Sequence, residues 1–258
     1  MLIFKYQISP YPSSGEKYMD AGEITSNALK YPLTDFKKVL ILGILTILSS
    51  LIIPGFLVLG YIFKIIKSTM KDSSELPNFN QWTSMFIDGL KVFVLFFIYS
   101  IIPCILILIG IWGAILPMLT VPGAGSLLNS PLSLNMLGGI ASIGLILLVV
   151  ISFIIPVALA NMVYQGKLVA AFRLKEIIGK IKEIGWVDYL IWFIIMLIII
   201  WVAYFVSSFL ILPFIIGIVI VPLIISPYLS IFLARSIGLV YKYEGSDHEY
   251  YRHSKQIK

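Results

Sequence analysis

No lysine, arginine, aspartate, glutamate or histidine occurs between Val92 and Tyr164, an uncharged run of 73 residues dense in Ile, Leu and Phe. A soluble domain cannot carry such a run, because its surface needs polar side chains, whereas one membrane span needs only about 20 apolar residues to cross roughly 30 Å of hydrocarbon. The chain is therefore expected to be an integral membrane protein with several spans. Composition agrees: 59% of the residues are hydrophobic, 12% are charged and the mean hydropathy is +1.00, against about 25% charged in ordinary soluble domains.

The net charge of +6 sits in short segments beside apolar runs. That placement suits anionic lipid headgroups and argues against nucleic acid. The one cysteine, Cys104, falls inside a span, where it is expected to pack as a small hydrophobe. Residues 9–17 are polar and carry Pro10, Pro12 and Gly15, so no cleavable secretory signal is expected. Residues 1–18 read as a flexible extension, 19–241 as a single membrane domain and 242–258 as a polar tail.

Uncharged stretches at 39–63, 92–164 and 189–234 divide the chain into three blocks, each opening on an amphipathic piece. In the first, Asp20 and Glu23 resemble a capping box, with Ile24, Ala28 and Tyr31 at helical spacing before Pro32. In the second, Asn78 or Asn80 is placed to cap a helix whose Trp82, Met85, Phe86 and Leu90 share a face. In the third, Leu174, Ile177, Ile178, Ile181 and Ile184 form an apolar stripe, and Glu176 stands four residues before Lys180. Such helices suit the membrane interface, with Trp82 and Trp186 as anchors, although each also reads as a connector packed on the protein.

The basic segments decide the number of spans. Read as one crossing, residues 39–66 would put Lys37 and Lys38 opposite Lys64, Lys67 and Lys71, against the tendency of cytoplasmic loops to hold the lysines and arginines. A hairpin broken at Ile53-Pro54-Gly55 returns the chain to its starting side. A second hairpin follows, with its tip at 121–134, and a third turns near Leu212-Pro213. The expected fold class is all-α: a polytopic transmembrane bundle of about six membrane segments in three hairpins, with amphipathic interfacial helices and both termini cytoplasmic. The recurring order of amphipathic piece, apolar hairpin and basic return suggests a degenerate internal repeat.

Asp20-Ala21-Gly22-Glu23, Ala28-Leu29-Lys30-Tyr31-Pro32, Ile53-Pro54-Gly55, Gly60-Tyr61 and Leu76-Pro77, with Trp82, Phe86 and Asp88-Gly89-Leu90-Lys91, resemble domain-of-unknown-function family 4013. These are uncharacterised polytopic membrane proteins, chiefly archaeal. The resemblance is best over residues 19–91. It implies an archaeal plasma membrane protein and brings no known activity.

Little in the chain points to chemistry. The spans hold no ionisable residue of the kind that couples transport to protons or sodium; Asn161 and Gln165 are the best polar candidates there, and are expected to serve hydrogen bonds between helices. Ser126 lacks a histidine on its side of the membrane, because His248 and His253 both lie in the tail. Asp72, Glu75 and Asp88 do not cluster for a metal, and Asp88 is expected to orient the helix from Trp82 to Lys91 or to pair with a nearby lysine. Asp247-His248-Glu249 and His253 read as a solvated tail. The small-residue pairs Gly110/Ala114, Gly138/Ser142 and Ala203/Ser207 offer close helix approach. Prolines at 54, 103, 117, 156, 213, 222 and 227 interrupt the spans, and a substrate path would need them to converge on one cavity.

No catalytic, cofactor-binding or metal-binding residue is therefore expected, and no cofactor. The expected function is non-enzymatic: organising or assisting other membrane components, with anionic headgroups, membrane proteins or a second copy as partners. The alternative is a permease or transport component for a small neutral or lipid-like substrate.

Overall fold

The computed structural model describes residues 19–120, 131–211 and 215–243, and among them every regular element is helical. In chain order these are α1 (Ala21–Lys30), α2 (Phe36–Ile47), α3 (Ile52–Met70), α4 (Trp82–Thr120), α5 (Pro131–Gln165), α6 (Leu174–Ile184), α7 (Trp186–Ile211), α8 (Ile215–Ile220) and α9 (Ser226–Lys242). A π turn, Val221–Ile225, joins α8 to α9. Five helical stretches, in α3, α4, α5, α7 and from Gly217 to Lys242, are long and apolar enough to cross a membrane. The protein is a polytopic helical membrane protein, and the shorter α2 is not among these five.

The first hairpin forms as expected but breaks earlier. A 3-10 turn, Leu48–Ser50, and extended backbone at Leu51 separate α2 from α3. Pro54 therefore falls in the first turn of α3, where the backbone N–H groups have no intrahelical acceptor and a proline removes nothing. Both open ends of the hairpin meet. The Tyr31 hydroxyl donates to the Glu75 carbonyl at 2.8 Å, and Lys38 Nζ donates to the Leu76 carbonyl at 2.7 Å. Asp35 caps α2, accepting from the Lys38 N–H at 3.2 Å.

The first arm of this hairpin is short. Twelve residues of α2 extend about 18 Å, well short of the hydrocarbon thickness. Phe56 of α3 packs edge-on against Phe93 of α4 at 5.4 Å. Beyond that contact α3 has one turn left, about 6 Å, while α4 runs on to Thr120, about 40 Å. The exposed apolar tip, with Ile52 at 76% exposure, has no charged residue to hold it in water.

Glycines set close helix approaches. A Cβ on Gly60 would stand 1.8 Å from the Met85 carbonyl oxygen, and one on Gly89 1.8 Å from that of Phe56, so α3 and α4 touch backbone to backbone. Gly43 likewise abuts the Leu223 carbonyl in the π turn, and Gly144 the Pro103 carbonyl. At each of these crossings a single missing side chain is what lets the two backbones meet.

The amphipathic segments differ in kind. Residues 82–91 are the first turns of the 39-residue α4, not a separate helix. The position before Trp82 is Gln81, whereas Asn78 gives its carbonyl to Lys64 Nζ at 3.3 Å. Asp20 does cap α1, accepting from the N–H groups of Gly22 and Glu23 at 2.8 and 3.0 Å. In α6, Ile177, Ile181 and Ile184 are buried against the bundle, while Leu174 and Ile178 stay exposed. The stripe thus serves both packing and the surface. Glu176 and Lys180 do not pair: Glu176 takes Arg173 at 3.0 Å and Lys180 takes Glu183 at 3.2 Å, each at the i,i+3 spacing.

Two apolar cores form. One joins α2, α3, α4 and α5 around Tyr61, Ile66, Leu95 and Met162; the other joins α1, α5, α6, α7 and α9 around Tyr189, Trp192 and Phe232. The tips expected at 121–134 and Leu212-Pro213 lie outside the described residues, apart from α5, which already begins at Pro131.

Candidate functional site

Charge, hydrogen bonding and a cavity of about 570 Å³ gather at one end of the bundle. The last turns of α3, α5 and α9, the loop 71–81, the connection 166–173, α1 and α6 meet there, and every lysine and arginine among the described residues lies on these segments or on the adjoining starts of α2 and α4.

Arg235 of α9 is the centre of one half. Its side chain is buried at 8% exposure. It donates to Ser73 O at 2.7 Å, Asn27 Oδ1 at 3.2 Å and Thr69 Oγ1 at 3.3 Å, and its guanidinium lies 4.3 Å from the Tyr31 ring. A planar fork with five donors can serve three acceptors at once. One residue thereby ties α1, the turn after it, α3 and the loop 71–75 to α9. Burial pushes the Tyr31 phenol up, with Arg235 opposing, so Tyr31 stays a neutral donor and an aromatic face for the cation.

The other half is an amide and carboxylate network. Asn161 Nδ2 donates to Ala170 O at 2.9 Å and to Glu176 Oε2 at 3.2 Å; Gln165 Nε2 donates to the same Glu176 oxygen at 2.6 Å; the Tyr241 hydroxyl donates to Asn161 Oδ1 at 2.8 Å. Hydrogen bonds from Asn161 and Gln165, then Arg173, hold the Glu176 carboxyl below the usual range. Asn161 and Gln165 thus serve interhelical bonding, as their position suggested.

Tyrosine hydroxyls carry much of the remaining stitching. Tyr61 reaches Pro77 O at 2.9 Å, Tyr99 reaches Ala171 O at 2.8 Å, Tyr189 reaches Phe153 O at 2.6 Å and Tyr228 reaches Leu29 O at 2.6 Å. Trp192 adds a buried bond to Ser236 Oγ at 2.7 Å. Each pairs a rigid, mostly apolar side chain with a group that lipid could not satisfy. Neither this pattern nor the role of Arg235 was read from the sequence. The available signal was an arginine seven residues before Lys242, one turn deeper than any end anchor requires.

The acidic candidates do not converge. Asp88 pairs with Lys91 at 2.8 Å, Asp72 pairs with Lys242, and Glu75 contributes its backbone carbonyl. Among the described residues no group of three or more His, Cys, Asp or Glu is placed to hold a metal ion. Ser126, Asp247, His248, Glu249 and His253 lie outside the described residues. The prolines stand apart: Pro54 at the tip of the first hairpin, Pro103 against Gly144, and Pro156 against Tyr189, Trp192 and Ile237.

A family model described as a protein of unknown function, DUF4013, matches residues 42–212. The matched stretch includes Ile53-Pro54-Gly55, Gly60-Tyr61, Leu76-Pro77 and 88–91, and extends over the later spans; Asp20–Glu23 and 28–32 lie before it. No curated protein and no solved structure matches the chain.

Proposed function

From the premise that the chain belongs to the DUF4013 family of uncharacterised proteins, we propose that it is a non-enzymatic membrane protein that organises or assists other membrane components. The observation that carries this reading is the division of labour in the bundle. One end is a platform knitted by Arg235, the Asn161–Glu176 network and the tyrosine bonds. Away from it the helices offer long apolar faces that the chain itself leaves bare, such as Trp201, Tyr204, Phe205 and Phe209 on α7. A rigid charged platform with unpartnered membrane faces suits lateral association. The scattered prolines favour it over a permease, whose path would draw its broken helices together.

In this reading the platform faces the cytoplasm, because the lysines and arginines collect there, and both Met19 and Tyr243, which pack in the same core, stay on that side of the plasma membrane. The partners are anionic lipid, other membrane proteins or a second copy; nucleic acid has no role.

The test is the state of the protein in native membranes. Crosslinking before solubilisation should trap a defined assembly that survives in mild detergent. A lone monomer under both conditions overturns the proposal, and saturable uptake of a neutral solute by reconstituted vesicles would replace it with the permease.

A further inference from the structure

A cavity of about 570 Å³ opens at the charged end between α3, α5, α6 and α9, and Lys67, Lys71, Lys180, Glu183, Tyr241 and Lys242 stand on its wall. We infer that this cleft is a binding site for a phosphate ester. The inference does not depend on the organising role proposed above.

The charges on its wall do not cancel. Two of its four lysines are already matched: Lys180 pairs with Glu183 at 3.2 Å and also donates to Tyr243 O, and Lys242 pairs with Asp72. Lys67 and Lys71 have no such partner among the described residues, and both are exposed. They stand four residues apart at the end of α3, on one side of the helix. Two uncompensated ammonium groups over one concave wall match a phosphate group, whose monoester carries about −1.5 to −2 at neutral pH. A carboxylate offers at most one charge and fewer acceptor oxygens.

The rest of the lining suits an ester better than a bare ion. Met70 and Val163 supply an apolar floor, and the Tyr164 ring leans on Tyr241 with centroids 5.7 Å apart. Tyr164 itself is 71% exposed, so its ring and hydroxyl stand at the mouth. Lys180 lies 5.3 Å from the centre of the Tyr241 ring, which fixes that ammonium in the wall. An organic stem can lie on these surfaces while its phosphate meets Lys67 and Lys71. The volume falls in the usual range of about 300–1,000 Å³ for small-ligand sites. Two sources share this chemistry: the headgroup of a phospholipid entering from the membrane, and a soluble phosphate ester entering from the aqueous side.

The experiment uses the full chain in a zwitterionic detergent, with dioleoyl phosphatidic acid in mixed micelles as one probe and glycerol 3-phosphate as the other. Saturable binding of at least one probe is expected. Lys67→Glu/Lys71→Glu should weaken it by more than about tenfold, since each lost charge-assisted contact is worth on the order of a decade. Lys30→Glu/Lys37→Glu, which makes the same change of charge away from the cleft, should leave affinity within about twofold. Melting of each variant reads folding independently, and Lys67→Gln/Lys71→Gln removes the charges without reversing them.

Binding of the lipid alone assigns the headgroup source, and equal binding of glycerol 3-phosphate assigns the soluble one. If neither probe saturates, or if the distant pair weakens binding as much as the cleft pair, the inference is overturned.

Discussion

Replacing Arg235 by methionine should loosen the charged end while leaving the α4–α5 hairpin intact. Methionine keeps the apolar length of the side chain and removes its donors. Three acceptors lose their partner: Ser73 O, Thr69 Oγ1 and Asn27 Oδ1. Asn27 is exposed and can turn to water, whereas Thr69 is buried and Ser73 half-buried. An unmet buried acceptor costs about 1–3 kcal/mol, so two of them give about 2–6 kcal/mol, with relief of the guanidinium's own desolvation pulling toward the lower end. Arg235→Lys should recover less than half of the loss, because one ammonium group cannot reach three acceptors spread over α1, α3 and a loop. Thermal unfolding in mild detergent measures the loss, and hydrogen exchange locates it: residues 21–30 and 71–77 should lose protection, with 95–110 unchanged. Wild-type melting in Arg235→Met, or full rescue by lysine, would refute the reasoning.

Three further expectations follow from particular contacts. Gly60→Ala should separate α3 from α4 and destabilise the protein, because its Cβ meets the Met85 carbonyl; Gly179→Ala, where a Cβ meets nothing within 4 Å, should stabilise α6 by about 0.5–1 kcal/mol, and equal melting of the two variants would contradict the backbone contact. The Glu176 carboxyl titrates below its ordinary value of 4.5, so its contribution is complete above that pH and disappears as the pH falls through the lower folded-state value; Glu176→Gln should flatten this acid dependence of melting, and an unchanged profile would exclude the network as its origin. In a Cys104→Ser background, cysteines at Ser74 and Lys182 should label from one face of the membrane and a cysteine at Gly139 from the other; labelling of all three from one side would remove the topology.

Much of the fold was legible because its signals are local. Membrane residence, helical class and the pairing of segments follow from where charge is absent and where lysines recur, and Asp20 announces its helix through a side chain that reaches only three residues. The break after α2 was displaced because a proline in sequence does not reveal its position in the helix: Pro54 looked like the stop and instead sits harmlessly in the first turn. Glu176 and Lys180 had the spacing for an ion pair, but Asn161, Gln165 and Arg173 compete for the same carboxylate, and those partners come from outside α6.

The charged end is therefore the part that folding had to assemble. The amino-acid sequence by itself determined the solvent, the helical class and the side on which the cations collect, since each depends on hydropathy and charge along the chain. Only the tertiary structure decided that α2 ends after twelve residues, that single glycines carry the α3–α4 contact, that Arg235 binds three separate segments, and that Lys67 and Lys71, beside a cleft, have no ion-pair partner among the described residues. These depend on residues far apart in the chain satisfying one another's polar groups where water is scarce. Which donor finds which acceptor is settled by packing.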